Sequence, residues 1–177
     1  NCGGCGYAGC DALAEAIVAG KAEVNGCPVG GAPVAEKIGA ILGVEAGEAV
    51  KMVAKVRCAG TCEQAGVKYN YVGAQDCRQA VMVPGRGDKA CSYGCLGLGS
   101  CVAACQFGAL SIKDGIASVD PEKCVACGKC VETCPNGVIS LQPYDTKYQV
   151  NCNSKDKGKD VMSVCKAGCI GCGLCVR

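Results

Sequence analysis

Histidine and tryptophan are absent from this 177-residue chain, and phenylalanine occurs only at Phe107. The absence of histidine removes the commonest general base and proton shuttle of enzyme active sites. The shortage of large aromatic side chains also leaves few bulky anchors for a core or an interface. The composition therefore argues against catalysis by the side chains of this chain.

Cysteine and glycine are abundant instead, with 20 and 27 residues respectively. Such a cysteine content is typical of disulfide scaffolds in short secreted proteins. However, cysteines separated by two residues, such as Cys124 and Cys127, direct their thiols toward one locus rather than toward distant partners. No signal-peptide segment opens the sequence either. The pattern favours metal ligation, which can stabilise a fold whose apolar residues are mostly alanine and valine.

The segment CVACGKCVETCP, residues 124–135, carries the most specific motif. Its spacing, C-x2-C-x2-C-x3-C-P, is that of bacterial ferredoxins, in which three cysteines bind one iron–sulfur cluster and the fourth binds its sister. Structural zinc sites usually take two separated C-x2-C pairs and have no use for a third cysteine at the next step. The motif therefore predicts iron–sulfur clusters rather than zinc.

Residues 91–145 as a whole resemble a two-cluster bacterial ferredoxin. The resemblance implies two ligand sets: Cys105, Cys124, Cys127 and Cys130 for one cluster, and Cys95, Cys101 and Cys134 for the other. The second set lacks its middle ligand, because Leu98 stands at that position. Cys91 is the nearest substitute, and we expect it to complete the second set.

The N-terminal part has the spacing C-x2-C-x4-C-x16-C. It resembles the four-iron domain of several anaerobic electron-transfer proteins, which implies that one cluster is held by Cys2, Cys5, Cys10 and Cys27. A helix is predicted over residues 11–18. A second amphipathic helix is predicted in APVAEKIGAILGV, with one apolar face formed by Val34, Ile38, Ile41 and Leu42.

A longer repeat joins the middle of the chain to its end. KACSYGCLGLGSCV (89–102) aligns without a gap with SVCKAGCIGCGLCV (163–176), and KVRC at Cys58 weakly matches QVNC at Cys152. The second copy starts another ferredoxin motif with three cysteines: Cys169, Cys172 and Cys175. Its cysteine-proline step would fall after residue 177, so we expect the biological chain to be longer.

The remaining cysteines have no motif of their own: Cys58, Cys62, Cys77, Cys152 and Cys165. The first three precede the ferredoxin-like part, and one further ligand would close a site with them. Cys152 is the first candidate for that ligand, and Cys91 or Cys165 would also serve. Some of these cysteines could instead be buried thiols without a ligand role.

Charge and hydropathy exclude two classes of partner. The formal net charge is +2, but four thiolates around each cluster core would leave about −2 per site. We therefore expect no nucleic-acid binding. Residues 90–112 contain no charged residue, yet their cysteines and glycines explain this better than a membrane span does. We expect no transmembrane helix in the residues of this chain.

The predicted fold is a small, cluster-dominated α+β structure. An N-terminal helical four-iron domain (1–46) precedes a cysteine-containing linker segment (47–90), a two-cluster ferredoxin-like domain (91–145) and a truncated second ferredoxin-like module (146–177). ALSI and IASV, joined by KDG, predict a β-hairpin, and VISL predicts a further strand. VAKVRC predicts a strand that ends near Cys58, but no fold can be assigned to the rest of 47–90.

The order of these parts resembles the B subunits of Rnf complexes, the ion-translocating ferredoxin:NAD oxidoreductases of bacterial membranes. The resemblance rests on CGGCGYAGCDALAEAIV, GGAPVAEKIGAILGVEA, KACSYGCLGLGSCV and the ferredoxin repeats. It implies an electron-transfer subunit with four or five [4Fe-4S] clusters, reduced by soluble ferredoxin. It also implies other subunits as partners, a place on the cytoplasmic face of the cell membrane and a transmembrane helix before Asn1.

No substrate-level catalysis is expected in this chain itself. A glycine-rich nucleotide fingerprint after a convincing strand is missing, so we expect NAD to bind elsewhere in the complex. The main alternative is a soluble iron–sulfur subunit of another anaerobic enzyme, such as a hydrogenase or a corrinoid-linked system. A structural zinc protein used for binding is the alternative from a different class.

Overall fold

The computed structural model describes residues 1–47 and 50–176, so three positions of the expected ranges 47–90 and 146–177 lie outside the described residues. The helices are α1 (Cys10–Val18), α2 (Gly31–Leu42), α3 (Cys77–Ala80), α4 (Ser100–Ala104), α5 (Lys129–Thr133) and α6 (Lys159–Val164). The strands are β1 (Met52–Val56), β2 (Leu110–Lys113), β3 (Ile116–Val119) and β4 (Ile139–Pro143), and a 3-10 turn spans Leu174–Val176. Short helices and small antiparallel sheets agree with the predicted α+β class.

The two N-terminal helices form where the sequence predicts them, but α2 presents a different face. Helix α1 buries Leu13, Ala16 and Ile17. Helix α2 buries Ala35 and Gly39 instead of the predicted apolar face, and Ile41 is 84% exposed. A Cβ on Gly39 would stand 2.6 Å from the carbonyl oxygen of Val44. The prediction was wrong because close backbone approach, rather than large apolar side chains, selects the inward face.

Strands β2 and β3 form the predicted hairpin. They pair antiparallel from Leu110 opposite Val119 to Lys113 opposite Ile116. The turn between them consists of Asp114 and Gly115, whose φ angles are 49° and 74°. Two successive positive φ angles are typical of the type I′ turn that Asp-Gly favours in hairpins.

The second sheet joins two parts of the chain that the sequence separates. Strand β1 pairs antiparallel with β4, from Met52 opposite Pro143 to Val56 opposite Ile139. Strand β1 comes from the segment predicted as a linker, whereas β4 belongs to the ferredoxin-like part. The sheet therefore joins residues on both sides of the division expected at residue 90.

The core is built from small side chains and thiols. One buried cluster contains Ala54, Cys95, Cys101, Leu110, Ala117, Cys130, Val138 and Ile139. The largest fully buried side chains among the described residues are only valines: Val53, Val138 and Val161. Such a core contributes little hydrophobic free energy for a chain of this length. Within residues 1–47 and 50–176, no helix has the length and apolar character needed to cross a membrane.

Candidate metal centres

Three cavities are each lined by four cysteines. The motif site contains Cys105, Cys124, Cys127 and Cys130. The crossed site contains Cys77, Cys95, Cys101 and Cys134. The four-segment site contains Cys58, Cys91, Cys152 and Cys165. Twelve of the 20 cysteines thus lie in three sets of four.

The motif site is wrapped by a tight loop. Ala126, between the first two cysteines of the motif, has a φ of 56°, and Gly128 at the start of α5 has a φ of 78°. These left-handed residues turn the chain back so that the loop can enclose the cavity. Strand β1 closes another side, where the Ala54 N–H donates to the Cys124 Sγ at 3.3 Å.

The crossed site takes Cys77, and not the expected Cys91, as its fourth cysteine. The side chain of Asp76 caps α3 by accepting from the N–H groups of Arg78 and Gln79. The Cys77 N–H donates to the Ser100 Oγ at 2.6 Å, which docks α3 beside Cys101. Cys91, which the sequence analysis expects beside Cys95, lines the four-segment cavity and not this one.

The four-segment site draws its cysteines from four separate parts of the chain. Cys58 follows β1, Cys152 lies in the loop after β4 and Cys165 follows α6. The Lys166 N–H donates to the Gln64 carbonyl at 2.8 Å, which holds the Cys165 segment against the segment after Cys58. The Cys95 N–H donates to the Cys58 Sγ at 3.3 Å, so this site directly adjoins the crossed site.

Cys62 and Cys77, which the sequence analysis groups with Cys58, do not line the cavity that contains Cys58. Cys77 lines the crossed site, and Cys62 is exposed and lines none of the three cavities. The Cys62 Sγ lies against Gly115 in the hairpin turn, 2.5 Å from where a Cβ would stand. The three candidates for the further ligand, Cys91, Cys152 and Cys165, all line the four-segment site together with Cys58.

The sequence repeat contains the signal that identifies this set. Cys91 aligns with Cys165 in the long repeat, and Cys58 matches Cys152 in the shorter KVRC and QVNC pair. The four-segment site therefore brings together two pairs of repeat-equivalent cysteines. The repeat predicts this set of four cysteines if each copy supplies two cysteines to one shared site. The spacing of cysteines within a single motif does not indicate such a set.

The N-terminal cysteines lie beside the motif site. The Cys10 N–H donates to the Asn1 Oδ1 at 2.8 Å, and the Gly30 N–H donates to the Cys27 Sγ at 3.3 Å. A Cβ on Gly4 would lie 3.6 Å from the Cys2 Sγ and 2.9 Å from the Cys127 Cβ. The glycine-rich N-terminal loop thus contacts the motif loop directly.

The C-terminal cysteines are more open to solvent. Cys172 and Cys175 are exposed, and Cys169 is half-buried. Gly171 and Gly173 have φ angles of 69° and 72°, which curve the loop that carries these thiols. This three-cysteine group follows Gly168, which lines the four-segment site.

Burial raises the pKa of several of these thiols. It raises the pKa of the Cys101 thiol to about 12 and that of the Cys130 thiol to about 11. It also raises the pKa of the Cys91 and Cys95 thiols. Because metals bind the thiolate, loading these sites must release the thiol protons.

The donor chemistry fits iron–sulfur clusters. Each of the three sites offers four sulfur donors, and backbone N–H groups reach the sulfurs of Cys58, Cys95 and Cys124. In the described part of the chain, no three His, Cys, Asp or Glu side chains are close enough to hold a single metal ion. Four thiols lining one cavity match the number of ligands that an iron–sulfur cluster takes.

Two protein-family models each match a part of the chain. Residues 1–29 match the family described as "Putative Fe-S cluster". Residues 117–140 match the 4Fe-4S binding domain. The first match includes the four N-terminal cysteines, and the second includes the four cysteines of the CVACGKCVETCP motif.

Curated relatives cover nearly the whole chain. The B subunit of the ion-translocating oxidoreductase complex of Methanosarcina acetivorans is 53% identical over 178 residues, which covers 100% of this chain and 67% of the relative. The B subunit of the Na(+)-translocating ferredoxin:NAD(+) oxidoreductase complex of Acetobacterium woodii is 52% identical, covering 96% and 51%. The proton-translocating counterpart of Clostridium ljungdahlii is 46% identical, covering 96% and 60%. The chain thus spans about half to two thirds of the length of these relatives.

Proposed function

Because the chain belongs to the family of B subunits of ion-translocating oxidoreductase (Rnf) complexes, we propose that it conducts electrons through successive [4Fe-4S] clusters. In this proposal, the electrons come from reduced soluble ferredoxin and pass to other subunits of a membrane complex. The chain works at the cytoplasmic face of the membrane, and NAD is reduced elsewhere in the complex.

The main support for this proposal is that neighbouring cysteine sites contact one another. The N-terminal loop contacts the motif site through Gly4 and Cys127. The motif and crossed sites share one buried cluster that includes Cys101 and Cys130. The crossed and four-segment sites share Gly94 in their linings.

These contacts give an order to the sites. The order is N-terminal site, motif site, crossed site and four-segment site, followed by the C-terminal cysteines. The first four sites contact one another in this order, and the C-terminal cysteines follow Gly168 of the four-segment site along the chain. In this proposal, an electron that enters at one end crosses the subunit from site to site. This arrangement supports conduction better than storage at isolated centres.

The cavity linings support three of the ligand sets in this proposal, and the C-x2-C-x4-C-x16-C spacing supports the N-terminal one. We propose four complete sets: Cys2, Cys5, Cys10 and Cys27; Cys105, Cys124, Cys127 and Cys130; Cys77, Cys95, Cys101 and Cys134; and Cys58, Cys91, Cys152 and Cys165. The C-terminal cysteines contribute three ligands to a fifth site: Cys169, Cys172 and Cys175. When bound, such clusters supply one-electron redox chemistry at each site.

The protein's own contribution is to bind, insulate and tune these sites. Backbone N–H groups of Ala54, Cys95 and Ala117 donate to ligand sulfurs at 3.3, 3.3 and 3.4 Å. Hydrogen bonds to sulfur and burial both set the reduction potential of a cluster. Small side chains around the cysteines allow the backbone to approach closely enough for these bonds.

The first test is the content of iron, acid-labile sulfide and zinc per chain after anaerobic purification. We expect about 16 to 20 irons with equal sulfide, which corresponds to four or five clusters. Zinc in place of iron would contradict the proposal and favour a structural zinc protein.

The second test is electron entry. Reduced soluble ferredoxin, mixed anaerobically with the loaded chain, should bleach the cluster absorbance within a stopped-flow record. A chain that carries the expected iron and sulfide but accepts no electrons from ferredoxin would contradict the proposed donor. A matched reaction with dithionite would show that the clusters can be reduced.

A further inference from the structure

Lys89 is a buried cation that forms no salt bridge with any residue that the structure describes. Its residue is only 6% exposed, and among the described residues it is the one charged residue in the buried class. Its Nζ donates to the carbonyl oxygens of Gly60 and Gly115, at 2.9 and 2.6 Å. The salt bridges between described residues involve Lys51 and Lys123, and neither includes Lys89.

Two carbonyl groups do not fully compensate the positive charge of the buried Lys89 ammonium. Removing such a charge from water costs several kcal/mol unless a negative charge compensates it. Carbonyl dipoles supply part of that compensation, and the third N–H of the ammonium has no acceptor in the described hydrogen bonds. A negative charge close to Lys89 would therefore stabilise it, and no described carboxylate forms a salt bridge with it.

The surroundings of Lys89 identify where that charge belongs. Lys89 lines the four-segment site together with its four cysteines. Gly60, which accepts from the Lys89 Nζ, is packed against that site, since a Cβ there would stand 3.6 Å from the Cys58 Sγ and 3.5 Å from the Cys165 Sγ. The ammonium is thus held at the wall of the cavity by backbone that also touches its ligand sulfurs.

The second carbonyl places Lys89 toward the crossed site. Gly115 lies two residues before Ala117, whose N–H donates to the Cys95 Sγ at 3.4 Å. Lys89 therefore lines the four-segment site and, through Gly115, also contacts the hairpin that adjoins the crossed site. A cluster with four thiolates carries about −2 in its oxidised state and gains a further negative charge on reduction.

We propose that Lys89 is the built-in counter-cation of the four-segment site and raises the reduction potential of that site relative to the motif site. This inference rests on the clusters proposed above. An electron that reaches the four-segment site adds negative charge beside a fixed ammonium in a poorly solvated environment. Lys89 thus favours electron occupancy at that end of the series of sites.

The test compares neutral and charged replacements in the cluster-loaded chain. Lys89→Met and Lys89→Gln remove the charge, Lys89→Arg retains it, and Lys68→Met is the matched control. Lys68 also donates to a carbonyl, that of Gly85 at 2.8 Å, but it is exposed. Redox titration monitored by electron paramagnetic resonance gives the potential of each site, and the signal that disappears in Cys165→Ser identifies the four-segment site.

At a fixed potential, Lys89→Met should lower the ratio of reduced to oxidised four-segment site roughly tenfold, which is a shift of about 59 mV for one electron. Lys89→Gln should act in the same direction, and Lys89→Arg should stay close to the unsubstituted chain. The motif site should keep its potential in all variants, and Lys68→Met should change neither site.

Unchanged potentials in fully loaded Lys89→Met would overturn the inference while leaving the proposed electron conduction intact. An unsubstituted chain without iron and sulfide would overturn both. If the neutral variants lose iron from the four-segment site, Lys89→Arg decides the question. Iron retained with arginine supports a charge role, and iron lost with arginine as well overturns it.

Discussion

The motif site and the four-segment site have the same number of cysteines but are built in opposite ways. In the motif site, three cysteines come from one short loop, Cys124 to Cys130, and only Cys105 comes from outside it. In the four-segment site, each cysteine comes from a different part of the chain. A local loop can form its site almost alone, whereas the dispersed site exists only when four segments are already in place.

This difference decides what each site does for the fold. The motif site is supported by the paired strands β1 and β4 and by the buried cluster around Val138 and Ile139. The segments around the four-segment site have little regular structure to hold them, apart from α6 and isolated backbone contacts such as that between Gln64 and Lys166. Metal ligation should therefore contribute more to local structure at the dispersed site.

The largest expected effect follows from removing a ligand of the dispersed site. Cys165→Ser should lose about four irons and also loosen the segments around Cys58, Cys152 and α6. Cys127→Ser should lose a similar amount of iron but leave those segments protected. Iron content and limited proteolysis of the anaerobically purified chain measure both effects.

Cys62→Ser is the control for this comparison, because Cys62 is exposed and lines none of the three cavities. It should retain the full iron content and the protease resistance of the unsubstituted chain. Equal loss of iron in Cys62→Ser and Cys165→Ser would break the assignment of the four-segment site.

The next effect concerns a single cluster at the crossed site. Cys77→Ser and Cys134→Ser should abolish the same resonance signal and leave the motif-site signal, because both cysteines line one cavity. Cys91→Ser should instead abolish the four-segment signal. Should Cys91→Ser remove the crossed-site signal while Cys77→Ser spares it, the grouping seen in the structure would be refuted.

A smaller effect tests the backbone contact beside the crossed site. Gly97 has a φ of 75°, and a Cβ there would stand 2.3 Å from the Gly115 carbonyl oxygen. Gly97→Ala should lower the free energy of unfolding by about 3 kcal/mol, from the left-handed conformation and the clash together. Gly108→Ala is the control, since its φ is 62° but nothing lies within 4 Å, and it should cost about 1 kcal/mol.

Chemical denaturation of the loaded chain under anaerobic conditions measures both glycine variants. Equal losses for Gly97→Ala and Gly108→Ala would mean that the approach of the hairpin turn to Gly97 contributes nothing. That result would separate the crossed site from the hairpin as a structural unit.

The smallest effect concerns the cap that positions Cys77. Asp76→Ala removes the acceptor of two backbone N–H groups and should cost about 1 kcal/mol, whereas Asp76→Asn should retain most of the stability. The crossed site should also load iron more slowly in Asp76→Ala, while the motif site loads normally. Time courses of cluster reconstitution test this, and identical rates at both sites would contradict the positioning role.

The same contrast explains what the sequence could and could not predict. The motif cysteines and the Asp114-Gly115 hairpin have signals that lie within a few residues, so spacing and turn chemistry are sufficient. Cys77 has no such signal, because Leu98 leaves a gap that several cysteines could fill. The choice depends on the tertiary contact between the Cys77 N–H and the Ser100 Oγ.

The helical periodicity of apolar residues in α2 did not predict which residues of this helix are buried. The predicted apolar face of α2 relies on large side chains such as Ile41, but the helix buries Gly39 because a carbonyl group approaches it. The pairing of β1 with β4 was missed for a related reason, since nothing near Met52 specifies a partner so far away in sequence. In contrast, the set at the four-segment site was present in the repeat, as two pairs of equivalent cysteines.

The dispersed origin of the four-segment site has a consequence for biosynthesis. As the ribosome extends the chain from its N-terminus, Cys105 to Cys130 emerge within a short interval, and the motif site can receive iron and sulfide early. Cys58 and Cys91 emerge before much of the remaining chain and must wait for Cys165 before their set is complete. The four-segment set is therefore completed later during synthesis than the motif set.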